Sequence, residues 1–548
     1  MDRGNDKVMK NREGFYIYRA IPAIVLLLLL FALPMFFVFQ KAFLSQGRAL
    51  KDVFSDIYTY KLLGFTFFES FLSATISVAI SMPFASFFSK YSFPGRKAIL
   101  TLSDLAFTIP SILVVLSFVI WYGNAGILNT FIMHVFKLDE PRLKILYSFK
   151  AIILAHVYLN FPIAFSLITG SWSMMDEKEE LCSKLMGKGN IKTFFMITLG
   201  KIKGTVIASW ILIFFFCFSS FSIVLVLGGK PSYYTLEAEI YKRTYTDMNP
   251  ESASALSLFS FLVLSLLLLI SSGGRREAKA KRSGRTLIKA RRSKILIAII
   301  LSLLILLFLL PPLLSIVYRA FFTKDGTFTL RAWHDMSHGS GLIASSIAGI
   351  INSFIIALIT ATLSALLASK IALASRGSKS RILPLFTSLP MATGSVTLGL
   401  GFSFVSAYIH SDKIIVSYIL VILSHLILTL PFAVRTILPG ARKIPKTIAL
   451  SSYTLGASMS KTVRKIENPM IFGYKMKAFA FSFALSLGEF NATLSLSEGK
   501  VVTIPVLIYR MINSYNFQGA SALGSILLLE ALVVFFVGEV KANGISRD

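Results

Sequence analysis

The chain has 548 residues, 55% of them hydrophobic and only 15% charged, with a net charge of +29 and a mean hydropathy of +0.71. Soluble domains carry about 25% charged residues, so this composition excludes a cytosolic enzyme and a disordered scaffold. The basic residues lie between long apolar runs, which points to membrane topology and away from nucleic-acid binding.

A run of about 20 apolar residues crosses the hydrocarbon core. In chain order the runs are 20–39, 62–88, 99–122, 148–172, 205–227, 253–271, 295–317, 345–369, 384–409, 414–434, 476–496 and 519–537. They predict an all-α polytopic membrane protein with about 12 transmembrane helices. The first run follows Arg3, Lys7, Lys10, Arg12 and Arg19 and has no small-residue cleavage site after Phe39, so it reads as a retained span. With the N-terminus inside, 39 of the 56 Lys and Arg fall in inner segments and 17 on the outer side, counting Lys150 at the mouth of the fourth run as outer. That bias predicts a multi-pass membrane protein with both termini cytoplasmic. The ten bases between Arg275 and Lys294 form a basic cytoplasmic linker, 273–294, suited to touching anionic membrane lipid. It divides the chain into six-span halves, 1–272 and 295–548. Cys182 and Cys217, far apart in sequence, offer no disulfide framework and no Cys/His metal motif.

The halves repeat each other in register. His156 and Pro162 match His425 and Pro431, Gly187 and Ile197 match Gly456 and Ile466, and Ser219-Ser220-Phe221 falls opposite Gly488-Glu489-Phe490, all at an offset of 269. Upstream, Glu69-Ser70-Phe71 matches Asn352-Ser353-Phe354 at 283, and Thr108-Ile109-Pro110 matches Ser388-Leu389-Pro390 at 280. Six spans is an even number, so the repeats are expected to run parallel, with a path for solute at their interface.

The expected inner loops after spans four and ten carry the most specific signal. Each reads as a short amphipathic helix, a glycine, a second short segment and then Ile-x-Leu-Gly or Ile-x-Asn-Pro. They are Leu181-Cys182-Ser183-x3-Gly187-x9-Ile197-x-Leu199-Gly200 and Leu450-Ser451-Ser452-x3-Gly456-x9-Ile466-x-Asn468-Pro469. Both resemble the signature loop of binding-protein-dependent ABC importer permeases, E-A-A-x3-G-x9-I-x-L-P. Leu stands at the Glu position in each, with Glu180 one place early in the first. FPGRKAIL (93–100) and SLGEF (486–490) are also similar to that family. The segments 217–241 and 503–523 look closest to permeases of thiamine importers, with iron(III) permeases next. The resemblance implies a fused two-half permease of the type I importer fold. It assigns Gly187, Ile197, Leu199, Gly456, Ile466, Asn468 and Pro469 to loops that couple to an ATPase. It further implies two copies of an ABC ATP-binding subunit and an extracytoplasmic solute-binding protein as partners.

The chain has no Gly-x4-Gly-Lys-[Ser/Thr] and no cofactor motif, so any ATP is expected in partner subunits and the chain is expected to be non-catalytic. It has no HExxH and no Gly-x-Ser-x-Gly either, and no metal site is expected. Polar groups in the spans are candidates for the translocation path: Glu69, Asn160, Asn352, Glu489 and Asn491, with Tyr158 and Phe490 as aromatic neighbours. Glu69 has a competing reading as a solvated group near the headgroups. Asp104 reads as solvated at the inner membrane edge, and His156 and His425 read as helix-packing hydrogen-bonders. The alternative class is a 12-span secondary transporter, which would need membrane-buried charge pairs for ion coupling and no duplicated loops.

Overall fold

The structure is a computed structural model, describing residues 2–44, 46–106, 108–273, 287–338, 346–376, 387–410, 413–497 and 500–544. Most of the basic linker and the start of the ninth expected span lie outside the described residues. The chain is an all-α polytopic membrane protein. The strands among the described residues are two-residue segments, Tyr91–Ser92 and Ile288–Lys289, paired in parallel.

Ten helices among the described residues are long and apolar enough to cross a membrane. The sequence predicts twelve. The ninth and eleventh expected spans are carried by shorter helices, Ser395–Ile409 and Phe472–Leu487. Backbone chemistry explains both. Pro390 and Gly394 hold the chain in a 3-10 turn and extended backbone before Ser395, and the eleventh span breaks at 488–490 before resuming as Asn491–Ser497. The first repeat breaks at the corresponding places, before Pro110 and at 219–221. Hydropathy averaged over a whole span stays apolar through these points and so does not reveal them, although Glu489 and Asn491 stand at the last.

The described chain forms two compact units. One comprises 56–239 and 266–328. At its centre, helix Ile57–Phe88 packs on Phe149–Ser173 and Leu199–Phe218. The packed face carries Thr66, Ser70, Ser73, Ser77 and Ser81, all buried. Small side chains at this spacing let helices approach closely, and the hydroxyls satisfy themselves by bonding back one turn: Thr66 to the Leu62 carbonyl at 2.8 Å, Ser70 to Thr66 at 2.7 Å and Ser77 to Ser73 at 2.7 Å. Helix Arg292–Phe321, which opens the second repeat, belongs to this unit. It packs on Ser111–Tyr122, and the Tyr158 hydroxyl donates to the Leu309 carbonyl at 2.5 Å.

The other unit comprises 1–55, 240–265 and 329–548. Here Ser346–Ala374 is central, against Ile414–Lys443 and Phe472–Leu487, with Phe517–Gly544 on the latter. Its packed face repeats the small-residue pattern with Ser346, Ser353, Thr360 and Ser364. The first helix of the chain, Asp2–Leu44, packs on Ser346–Ala374 and Ser395–Ile409. One unit thus holds the first repeat's second to fifth spans with the second repeat's first span, and the other holds the rest of the second repeat with the first repeat's first span and 240–265, most of its sixth. The packing partition differs from the sequence partition at 273–294.

Candidate functional site

The two loops singled out by spacing fold alike. Helix Glu177–Leu185 is followed by Gly187 at φ +77°, and Lys446–Thr454 by Gly456 at φ +76°. This left-handed backbone is open to glycine and costs other residues about 1–2 kcal/mol. Beyond the turn come Asn190–Thr193 and Met459–Thr462, each running into one π-helical turn, Phe194–Thr198 and Val463–Glu467. Every boundary after the glycine keeps the offset of 269.

A paired set of bonds locks each elbow. Ser183 Oγ meets Thr193 Oγ1 at 3.0 Å, and Ser452 Oγ meets Thr462 Oγ1 at 2.8 Å. The Lys188 amide donates to the Ser183 carbonyl at 3.2 Å, and the Ala457 amide to Ser452 at 3.0 Å. Ile197 and Ile466 are half-buried on the π turns. Leu199 opens the long helix Leu199–Phe218, which runs without interruption where Gly200 stands. In the second elbow Pro469 is exposed, a turn at Ile471 separates Asn468–Met470 from Phe472–Leu487, and Asn468 Oδ1 accepts from Lys475 Nζ at 2.9 Å.

The leucines at the signature glutamate position do not leave the elbows without an acidic anchor. Leu181 is exposed, while Glu180 beside it is buried, accepting from Thr198 Oγ1 at 2.8 Å and pairing with Lys90 Nζ at 3.3 Å. In the second repeat the residue equivalent to Thr198 is Glu467. It is fully buried, bridged by Arg376 at 2.9 Å and by the Tyr16 hydroxyl at 2.7 Å. Lys90 and Arg376 each sit two residues past the helix of their repeat's second span. Each elbow is therefore fastened by a buried acid to a base at the foot of that span. Sequence reading missed these anchors; the charges two residues beyond spans two and eight were the available signal. Outward, the first elbow exposes Leu185, Met186 and Ile191, and the second Leu455.

The candidate path residues divide between the units. In the first, Glu69 is fully buried and not solvated near the headgroups, because the hydroxyl-lined face encloses it: its Oε1 lies against His156 Nδ1 and accepts from Ser73 Oγ at 2.8 Å. Asn160 Nδ2 donates to the His156 carbonyl at 2.8 Å and to Cys217 Sγ at 3.5 Å. Asp104 is exposed and accepts from Ser166 Oγ. In the other unit, Glu489 and Asn491 flank the break in the eleventh span. Glu489 Oε1 accepts from the Ala492 amide at 2.9 Å, capping the helix that follows, and Asn491 Nδ2 donates to Ser395 Oγ at 2.8 Å. The first repeat holds its own break points together in the same manner, Ser222 Oγ to Ser111 Oγ at 2.8 Å. Asn352 is turned to the Val502 carbonyl at 2.9 Å, and Phe490 packs on Tyr509 with centroids 5.1 Å apart. His425 makes two hydrogen bonds of 2.8 Å, to Ser486 Oγ and Thr493 Oγ1. A cavity of about 590 Å³ beside Leu72, Phe84, Phe161 and Phe308 is apolar apart from Lys150 and includes none of the path candidates.

Duplicated elbows, broken spans and polar groups at the breaks define a polytopic membrane protein with the features of a transporter's membrane subunit. The particular likeness is to the thiamine transport system permease proteins. That of Brucella abortus (strain 2308) is 28% identical over 504 residues, 89% of this chain and 88% of that protein. That of Escherichia coli K12 is 26% identical over 508 residues, 89% of this chain and 90% of that protein. A probable sulfate transport system permease protein of Chlorella vulgaris is 32% identical over 123 residues, 22% of this chain and 46% of that protein. No protein-family model matches the chain.

Proposed function

We propose that this chain is the membrane-spanning permease subunit of an ABC importer that moves thiamine to the cytoplasm. The observation that carries the reading is similarity to thiamine permeases along 89% of the chain, through both elbows and both repeats. The chain has no phosphate-binding loop, so hydrolysis belongs to separate ATP-binding subunits, two copies, one under each elbow. The exposed apolar tips suit burial in a partner: Leu185, Met186 and Ile191 in one elbow, Leu455 in the other. Because a hydroxyl pair and a buried acid stiffen each elbow, it transmits a push instead of absorbing it.

An extracytoplasmic binding protein delivers the solute, docking against the loops 123–147 and 228–252 and their counterparts in the second half. Both termini face the cytoplasm, as the basic bias requires. Thiamine carries a fixed positive charge and an aromatic ring, so its path needs acceptors and ring faces. Glu489 and Asn491 at the broken eleventh span supply the acceptors, and Phe490 between them supplies apolar surface.

Depleting the chain from its host and measuring uptake of labelled thiamine and labelled iron tests the assignment. Loss of thiamine uptake with normal iron uptake is expected. Loss of iron uptake alone would replace the solute while leaving the importer reading in place.

A further inference from the structure

Glu69, His156 and Cys217 come from three different helices of one compact unit. One ligand atom from each lies within 4.8 Å of the other two, and all three residues are buried. His156 Nδ1 lies against Glu69 Oε1, while its Nε2 is buried with no hydrogen-bond partner. Ser73 and Asn160 orient the carboxylate and the sulfur, at 2.8 and 3.5 Å.

The second repeat is an internal control. His425 stands where His156 does and Ser486 where Cys217 does, and the sequence equivalent of Glu69 is Asn352. There both ring nitrogens are satisfied by hydroxyls, and Asn352 bonds a backbone carbonyl elsewhere. Packing a histidine at this point of the fold therefore needs no ionisable neighbour. The first repeat places a carboxylate and a thiol there, and of the two the carboxylate is the costly group to bury.

We propose that Glu69, His156 and Cys217 form a membrane-embedded site for a borderline divalent metal ion, zinc foremost. Sulfur and imidazole nitrogen select the zinc class over magnesium and calcium, which take oxygen ligands. A dication held by one carboxylate, one thiolate and a neutral imidazole sums to zero charge, which suits a buried site, and a neutral water or the second Glu69 oxygen completes the tetrahedron. Binding displaces the Cys217 thiol proton, so about one proton leaves per ion bound. Tetrahedral zinc–ligand lengths of about 2.0–2.3 Å place ligand atoms roughly 3.3–3.8 Å apart, so the His156–Glu69 contact opens to admit the ion while the wider separations close by about 1.5 Å at most. Asn160 and Ser73 form the supporting shell that fixes sulfur and carboxylate. Once bound, the ion ties helices Ile57–Phe88, Phe149–Ser173 and Leu199–Phe218 together.

The test uses the purified full-length chain with cobalt(II) alone as the probe. Expected is binding of about one equivalent, with a near-ultraviolet sulfur-to-cobalt charge-transfer band and the visible bands of a tetrahedral ion, both displaced by zinc. Cys217→Ser should abolish the charge-transfer band, and Glu69→Asn should weaken binding at least tenfold. Both variants install what the second repeat already carries, so the fold tolerates them. Cys182→Ser, in the exposed elbow, should leave the spectrum unchanged. Absence of a one-equivalent band in the unaltered chain, its survival in Cys217→Ser, or its loss in Cys182→Ser would overturn the site.

Discussion

Among individual residues, Glu467 and Glu180 carry the largest electrostatic stakes outside the spans. Glu467 is fully enclosed and Arg376 nearly so, with side-chain exposures of 0% and 15%. The Arg376 guanidinium also lies 4.3 Å from the Tyr16 ring centroid, so three parts of the chain converge on one carboxylate. Removing one member of such a pair strands the other charge, a cost of about 3–5 kcal/mol. Glu467→Gln should therefore lower the thermal unfolding midpoint of the purified protein markedly. Lys90 retains 24% exposure and can turn to water, so Glu180→Gln should cost less, roughly 1.5–3 kcal/mol from the hydrogen bonds to a charged group. Equal destabilisation by the two variants would contradict this account of the anchors.

At the level of elements, the elbows were legible in the sequence because their determinants are local. A glycine ten residues before an isoleucine, present twice at one offset, encodes a turn and the segment beyond it, and the structure places both glycines at positive φ. The anchors were not legible, since Arg376 meets Glu467 across 91 residues and Tyr16 meets it across 451. The polar cluster of Glu69, His156 and Cys217 escaped for the same reason, with 87 residues separating its first two members. The breaks in spans nine and eleven were hidden by averaging hydropathy over the whole span, although Pro390, Gly488 and Glu489 marked them. A Cβ added at Gly187 or Gly456 meets no neighbouring atom within 4 Å beyond the adjacent residues, so the first cost of substitution there is backbone strain at positive φ. Gly187→Val and Gly456→Val should consequently leave the protein folded while re-aiming the elbow. The expected result is ATP hydrolysis uncoupled from uptake in either variant. Normal transport in both would remove the coupling role from these loops.

For the whole molecule, the proposed reading needs one chain to supply both halves of a permease, and each compact unit is built on the core of one repeat with spans borrowed from the other. The secondary-transporter alternative gives the two elbows no task. The competing accounts differ most directly in energy source. Reconstituting the chain in vesicles with its ATP-binding subunit and solute-binding protein, and measuring uptake of labelled thiamine with and without ATP, separates them. The account predicts uptake that requires ATP and the binding protein together and is indifferent to an imposed proton or sodium gradient. Uptake at full rate by the chain alone, driven by such a gradient without ATP, would contradict it.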